Sequence, residues 1–542
     1  MRNRILQRKN FDMWKSKALP KIYVLDSETD PFLYGRTPKP FVWGLYSNDY
    51  YEAFWGNENC TEKLVKALDD LEPGIIFLHN GGRFDVFYLL KYIDTKKPML
   101  IIKSRIVVCY IKCKNGWHEL RDSYKILPFG LSKYKKDEID YKIFERNKRS
   151  KPENKSLILS YLKTDCQYTW ELCTQFLERF GNYITIGGAA INELKKFHDI
   201  GERHNESTDD DIRSNYYVGA RVECFQKGII KGKINVYDVN SMYPYVMANC
   251  KHPIGFPSME TRKVGKDTFF VTAEGTNYGA FPMRTKSGIR FDVEHGIFSV
   301  SIHEWKTALE LDLFKPTKIL RAVDYVDNIT FDKFVNFFYE GRKKAILEKD
   351  KITDLFFKYL LNNSYGKFSV NPNNFFDYKL TNIDEDIRND GWEPMTEMED
   401  LGLTMWNRPA RFGLRQNVST GASITGAARA VLLYGIANAI NIMYCDTDCI
   451  VANGLKNVKI NDAELGAWKL ETTGQEIAIY GKKGYAIFDG NECVKSACKG
   501  TKITPDEIRR AANGEIIEYR QDAPTFKLDG SAQFIMRHVQ LT

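Results

Sequence analysis

The sequence predicts a multidomain chain of mixed α/β and α+β class. At 542 residues it is long for one hydrophobic core. In the first 190 residues, apolar strand-like runs at 21–25 and 74–79 are followed by a segment of helical periodicity at 160–180. Further along, two more apolar runs, Val236–Tyr237 and Met443–Cys445, also end in carboxylates, about two hundred residues apart.

Composition narrows the class. With 43% hydrophobic and 27% charged residues the chain reads as an ordinary soluble globular protein. A net charge of +8 suits a polyanionic partner but is modest for this length. Eleven cysteines, an odd count without a Cys-x-x-Cys pair, argue against a zinc module or a disulfide framework and for a reducing cytoplasm. The N-terminal tail, residues 1–20, is basic and lacks the apolar core of a signal peptide. The most membrane-like stretch, 427–444, is interrupted by Arg429, Asn438 and Asn441 and reads as a buried helix leading into the second acidic segment. Residues 140–155 are charged and read as a solvated loop.

The first acidic set follows from the strand ends. Asp26-Ser27-Glu28 closes the first strand, Asn80-Gly81-Gly82-Arg83-Phe84-Asp85 closes the second, and Tyr161 and Asp165 lie four apart on one helix face. An Asp-x-Glu alone carries no information, and a Tyr/Asp pair on a helix is usually a solvated face. In this order and spacing, Asp26, Glu28, Asp85 and Asp165 converge at one end of a sheet and bind two metals. Tyr161 sits one turn away, placed to orient an attacking water. The chemistry is metal-assisted phosphodiester hydrolysis.

In the second set, Asp446-Thr447-Asp448 is flanked by apolar runs that present both carboxylates at a hairpin tip, and Asp238 ends a strand upstream. Most Asp-x-Asp tips are simply turns. Two acidic sites far apart in sequence can instead hold a metal pair for in-line attack on a phosphate. On a helix, Lys358, Asn362 and Tyr365 fall at i, i+4 and i+7, which offers a charge for a triphosphate and a platform for base and sugar. Arg342 after Gly341 could add a second cation, although with Lys343 and Lys344 it also reads as a solvated basic face.

These residues carry a resemblance. Asp26-x-Glu28, Asn80-x-x-x-Phe84-Asp85 and Tyr161-x-x-x-Asp165 resemble the three 3′–5′ exonuclease motifs of family B DNA polymerases. Lys136-Asp137-Glu138-Ile139 resembles the catalytic-lysine motif of the protein-primed branch. Asp122-Ser123-Tyr124 with Leu127-Pro128-Phe129 resembles its single-strand-binding motif, with Tyr124 at a usual leucine. Tyr217-Val218-Gly219-Ala220 is similar to the linker that touches template. Asp238–Pro244 and Tyr444–Cys449 are similar to the two acidic palm motifs, Lys358–Gly366 to the finger-helix motif, and Lys483-Gly484-Tyr485 to the primer-strand motif. Asn363 and Cys449 stand where serines are usual. Longer runs, among them Gly296–Lys306 and Ser423–Arg429, resemble the polymerases of tectiviruses, tailless membrane-containing phages.

The resemblance implies an RNase H-like exonuclease domain (21–190), a linker (191–230), palm and fingers (231–450) and the rest of palm with thumb (451–542), together a right-hand polymerase. It places two insertions at about 255–330 and 371–411, the second acidic and loop-rich. It implies single-strand contacts at Thr29, Asn80, Phe84, Ser123 and Phe129, template contacts at Tyr217 and Gly219, and primer contacts at Lys483 and Tyr485. Asp238, the Val239 main chain, Asp446 and Asp448 would hold the palm metals. Tyr243 would underlie the incoming sugar and exclude a 2′-hydroxyl. Two Mg2+ ions per site are implied, with Mn2+ as substitute. The implied partners are primer-template DNA, single-stranded DNA, dNTPs and a terminal protein whose hydroxyl starts synthesis, for a monomer free of membranes in the host bacterium's cytoplasm. A nucleic-acid-primed family B polymerase is the alternative.

Overall fold

The computed structural model describes residues 20–48, 50–201, 204–410 and 417–542. The expected basic tail lies outside the described residues but for Pro20, as does Arg411.

Strand Lys21–Thr29 is apolar on both faces because it is covered on both. Ile22 and Val24 share a core with Leu162 and Cys166 of helix Pro152–Phe180. Tyr23 and Leu25 share another with Leu64 and Leu68 of helix Cys60–Asp70. The strand lies inside a seven-stranded sheet, in the order 50–55, 40–47, 21–29, 74–78, 116–122, 106–113, 100–101. It runs parallel to Gly74–Leu78, with Val24 opposite Phe77, so both chains reach the same sheet edge where their acidic segments begin.

The charged segment 140–155 is largely exposed, as expected of a solvated loop before a helix, with only Phe144 and Arg149 buried. Helix Pro152–Phe180 starts within it, with proline in its first turn. Arg149 ahead of the helix is buried, bonded to Asp30 at 2.7 Å and to Asn57, with its guanidinium 4.1 Å from the Phe41 ring. The charge is partnered, and that permits its burial.

The second large sheet is antiparallel, in the order 492–498, 484–489, 468–481, 228–239, 449–455, 439–446, 222–224. Strand Gly228–Val239 sets Asp238 opposite Cys449 on one side and Lys469 on the other. Helix Val418–Ala437, almost wholly buried, leads into the hairpin. It stops at Ala437, earlier than its apolar run suggests, and Ala439–Asp446 is already strand. No helix among the described residues is long and apolar enough to cross a membrane.

Residues 255–330 hold a four-stranded sheet (259–261, 314–324, 268–277, 295–301) and helix Ile302–Glu310, capped reciprocally by Ser301 and Glu304. Phe270, Phe281, Phe298 and Phe314 form its core, together with Val418 and Ala422 of the long helix. The interval 371–411 is not loop-rich: a three-stranded antiparallel sheet spans 376–409. Its acidic residues point outward. Leu380, Met398, Leu403 and Met405 pack on Leu90, Met99 and Ile101 of the first unit, and Met99 N donates to Tyr378 O at 3.0 Å. At the C-terminal end, Phe526 stacks on Phe87 of the first unit at 5.1 Å.

One buried charge joins three of these parts. Arg429 of helix Val418–Ala437 donates to Glu304 at 2.7 and 2.9 Å and to the carbonyls of Val218 and Gly219. Both charged side chains are under 5% exposed. Gly426, one helical turn earlier, admits the contact, since a Cβ there would lie 2.2 Å from Ser301 Oγ. Removing one partner of such a pair strands the other in apolar surroundings. Arg429→Met is therefore expected to destabilise the fold by about 3–5 kcal/mol in equilibrium denaturation. Arg429→Met with Glu304→Met should recover much of that loss. A single variant within about 1 kcal/mol of the parent would show the pair to be peripheral.

Candidate active sites

The sheet edge of the first unit brings the four predicted carboxylates into one electrostatic field. Asp26 and Glu28, two apart, project from the same face of their strand. The next segment turns sharply at Asn80, which is left-handed at φ 63°. It then presses Gly82 so close to the neighbouring strand that a Cβ would meet Ile106 O at 1.9 Å. That turn delivers Asp85, which accepts a hydrogen bond from Ser27 at 2.5 Å.

Burial holds Asp26 and Glu28 well above the usual carboxylate range, and the charges of their acidic neighbours push them further. Burial lifts Asp85 to about 6 against the Ser27 hydrogen bond. It also raises Asp165, opposed by a hydrogen bond from Tyr161 and by the charge of Lys136. Asp165 Oδ1 is buried without a hydrogen-bond partner. An orphaned carboxylate oxygen among desolvated acids fits a hard cation with oxygen ligands. Among the described residues, no three such side chains close around a single point as they stand.

The cavity beside these acids, about 640 Å3, is lined by Asp26, Asn80, Lys136 and Asp165. Tyr161 is buried, and its hydroxyl lies 3.2 Å from that of Tyr141. Phe84 is half-buried between Phe32, Tyr88 and Phe526. Three expected strand contacts offer no open face. Thr29 is buried, Ser123 is fully buried against His79 Nδ1 at 2.9 Å, and Phe129 lies under Tyr359 with ring centroids 5.1 Å apart. Tight packing of their turn on the finger-motif helix Lys351–Ser364 explains the burial of Phe129.

In the second sheet, burial and the charges of Asp448 and Glu471 raise Asp238 to about 7. Burial first, then Asp446 and Glu471, raise Asp448 to about 6. Val239 N donates to Asp448 O at 2.9 Å, locking the strand end to the hairpin tip. Lys483 Nζ lies 2.7 and 2.6 Å from the two Asp446 oxygens, so an ammonium already balances that carboxylate. Ser241, Thr447 and Lys483, all near these acids, have positive φ, a strain that tends to collect at functional sites. Tyr485 is buried against Tyr444 at 5.1 Å, not open to solvent.

Tyr243 and Tyr365 stack face to face, 4.1 Å apart with 4° between planes. Lys358 and Asn362 are exposed on the same helix, whereas Arg342 Nε is spent on Asp354 at 2.6 Å, holding two helices together. Tyr217 is half-buried and Gly219 exposed. Sequence reasoning missed Glu471, a third carboxylate in the field of Asp238. It also missed Arg221, whose carbonyl accepts from Thr447 N at 2.9 Å and whose guanidinium reaches Gly279 O. A bulge at Glu471 and the contact of Arg221 with the hairpin tip bring these residues to the site, and no local motif signals them.

A family model described as DNA polymerase type B, organellar and viral, matches residues 132–411, and the chain belongs to that family. It is a viral family B DNA-directed DNA polymerase, and its resemblance to tectivirus polymerases holds. The chain is 40% identical, over 97% of its length and 99% of the relative's, to the DNA-directed DNA polymerase of Enterobacteria phage PRD1. It is 26% identical over 67% of its length, and 66% of the relative's, to the DNA polymerase of Bacillus phage phi29. The solved structure of phi29 DNA polymerase complexed with primer-template DNA matches with a TM-score of 0.72 at 17% identity, covering 96% of this chain and 100% of that one. That match shows a shared fold.

The raised pKa of Asp238 makes a stability prediction. A carboxylate raised on folding contributes nothing adverse below about pH 4, and it costs stability as pH rises toward 7. Without divalent ions, Asp238→Asn should therefore match the parent near pH 4. It should exceed it by roughly 2–4 kcal/mol at pH 8, at about 1.4 kcal/mol per pH unit. Denaturant titrations at both pH values check this, and an Asn variant less stable at pH 8 would mean that Asp238 is well solvated.

Proposed function

We propose that the chain is a replicative DNA polymerase that begins on a terminal-protein hydroxyl, extends DNA by two-metal nucleotidyl transfer and proofreads with a 3′–5′ exonuclease. The single observation that carries this reading is the presence of two separate fields of desolvated carboxylates, only one of which adjoins the stacked tyrosines and the helix bearing Lys358. Phi29 DNA polymerase has been solved in complex with primer-template DNA, with incoming nucleotides and with single-stranded DNA, which supports the same ligands here.

In this reading, residues 21–190 are the exonuclease domain, 191–230 the linker, 231–450 palm and fingers with the two insertions, and 451–542 the rest of palm and the thumb. Asp238, the Val239 main chain, Asp446 and Asp448 hold one Mg2+ pair, and Asp26, Glu28, Asp85 and Asp165 another, with Mn2+ able to replace Mg2+. When bound, these ions supply charge neutralisation and Lewis acidity at the phosphate. Lys358 binds the triphosphate, and Asn362 and Tyr365 flank the base and sugar. Tyr243, fixed by its stack on Tyr365, sets a flat wall against the sugar's 2′ position. Lys483 holds the Asp446 carboxylate in place, and in the other site Lys136 and Tyr161 do the same for Asp165. The protein acts as a monomer in the host bacterium's cytoplasm.

Incubation with labelled dNTP and the candidate terminal protein should yield a covalent protein–nucleotide adduct. Extension of annealed primers without any such adduct would favour nucleic-acid priming instead.

The two fields predict separable losses. Asp446→Ala or Asp238→Ala should lower incorporation by several orders of magnitude while degradation of single strands persists. Asp26→Ala with Glu28→Ala should do the reverse. Equal loss of both activities in a folded variant would refute two independent sites. Tyr243→Val should raise rNTP incorporation relative to dNTP at matched concentrations, and an unchanged ratio would mean that the ring does not face the sugar.

A further inference from the structure

The first carboxylate field is assembled from two layers that lie on opposite faces of one strand. Alternation along Lys21–Thr29 sends Ile22, Val24, Asp26 and Glu28 one way, toward helix Pro152–Phe180 and its Asp165. It sends Tyr23, Leu25 and Ser27 the other way. Tyr23 and Leu25 share their core with Val86, Leu89 and Leu90 of the helical turns that Asp85 begins. Asp85 therefore arrives from the layer that Ser27 faces, not from the layer that supplies Asp165.

Ser27 is 9% exposed, and a hydroxyl on a strand covered on both faces is costly unless it is bonded. Its Oγ donates to Asp85 Oδ1 at 2.5 Å, the separation of a hydroxyl on an ionised carboxylate. Thr29, the next hydroxyl of the strand, is buried too but donates to Asp30 O at 3.2 Å, so the link to Asp85 belongs to Ser27. The main chain places Asp85 Cα and leaves the carboxyl free to turn about its side-chain torsions. The Ser27 bond removes that freedom: with Oδ1 pinned, Oδ2 has one direction. The charge so placed is felt by both Asp26 and Glu28.

We propose that Ser27 is a positioning residue of this field: its hydroxyl, turned to the opposite layer, fixes the Asp85 carboxylate in the orientation in which the four acids take up a divalent cation. The inference rests on the exonuclease reading and assigns the position that the Asp-x-Glu motif leaves blank. Ser27 spends its one proton on Asp85 and acts through that carboxylate, not on the substrate. Its loss should therefore move cation affinity and kcat and leave the KM for the strand in place.

The test compares Ser27→Ala, Ser27→Thr and Ser27→Cys with the parent, all as the full chain. Hydrolysis of a single strand is followed across a Mg2+ titration. Mn2+ binding without DNA is read by electron paramagnetic resonance in an Asp446→Ala background, which weakens the other field. Ser27→Ala should bind Mn2+ about tenfold more weakly and lose about 10- to 100-fold in kcat, the range for removing a hydrogen bond behind a metal-ligating group. KM for the strand and extension of an annealed primer should stay within about twofold of the parent. Ser27→Thr keeps the hydroxyl and should return cation affinity and kcat toward the parent.

Ser27→Cys fills the same space with a poor donor and should fail as alanine does, so it carries the test if Ser27→Ala melts early. Parent-like cation affinity and kcat in the folded alanine or cysteine variant overturn the proposal. So does a loss shared equally by hydrolysis and primer extension, which marks a hydroxyl that serves the fold alone. If the parent itself degrades no strand, the exonuclease reading falls, and the Mn2+ comparison alone then decides whether Ser27 positions Asp85.

Discussion

The Arg429–Glu304 pair is the constraint on which the geometry around the second large sheet rests. Glu304 reciprocates the Ser301 cap of its own helix, Arg429 projects from the helix that feeds the Asp446 hairpin, and its second nitrogen holds the Tyr217–Ala220 linker by two carbonyls. One guanidinium thus ties helix Ile302–Glu310, the helix that feeds the Asp446 hairpin and the segment at Val218–Gly219 to one another. Five donors in a rigid plane can do this, whereas a lysine could not. The cost is a buried charge that is tolerable only while every partner is present.

Both carboxylate fields invert that logic. Arg429 is fully compensated, but Asp238, Asp448 and Asp85 are held above the ordinary carboxylate range because burial and like charges outweigh their few partners. Such groups weaken the fold as pH rises through their raised pKa values, and a cation seated among them would relieve that cost. Lys483 on Asp446 moderates this on one side of the hairpin and leaves Asp238 and Asp448 as the under-compensated pair.

Much of this was legible in the sequence where the signal is local. Asp26 and Glu28 follow from a strand apolar on both faces, and Lys358, Asn362 and Tyr365 from a helical period. What stayed hidden depends on partners far away in sequence. Arg149 looked solvated because Asp30 and Asn57, which neutralise and bond it, lie about a hundred residues upstream. The sheet within 376–409 was masked because its outward residues are acidic and its inward ones, such as Leu380 and Met405, are too spaced by turns to read as strands. Arg342 carried a charge of the right sign, but its Asp354 partner on the next helix claims it.

The two units also share a wall. Tyr359, adjacent to Lys358 on the finger-motif helix, stacks on Phe129 and accepts a hydrogen bond from Lys133 at 3.2 Å. On the same helix, Lys351 donates to Tyr134 O at 2.7 Å, and Thr353 meets Arg179. Phe176 and Phe180 of helix Pro152–Phe180 pack on Phe356 beneath them. The helix that carries Lys358 therefore rests directly on the segment that follows Ser123. A displacement of that helix would have to break an aromatic stack or drag the segment with it, because packed interiors shift between discrete arrangements and do not deform continuously. The burial of Phe129 under Tyr359 is thus the same feature that joins the two units mechanically.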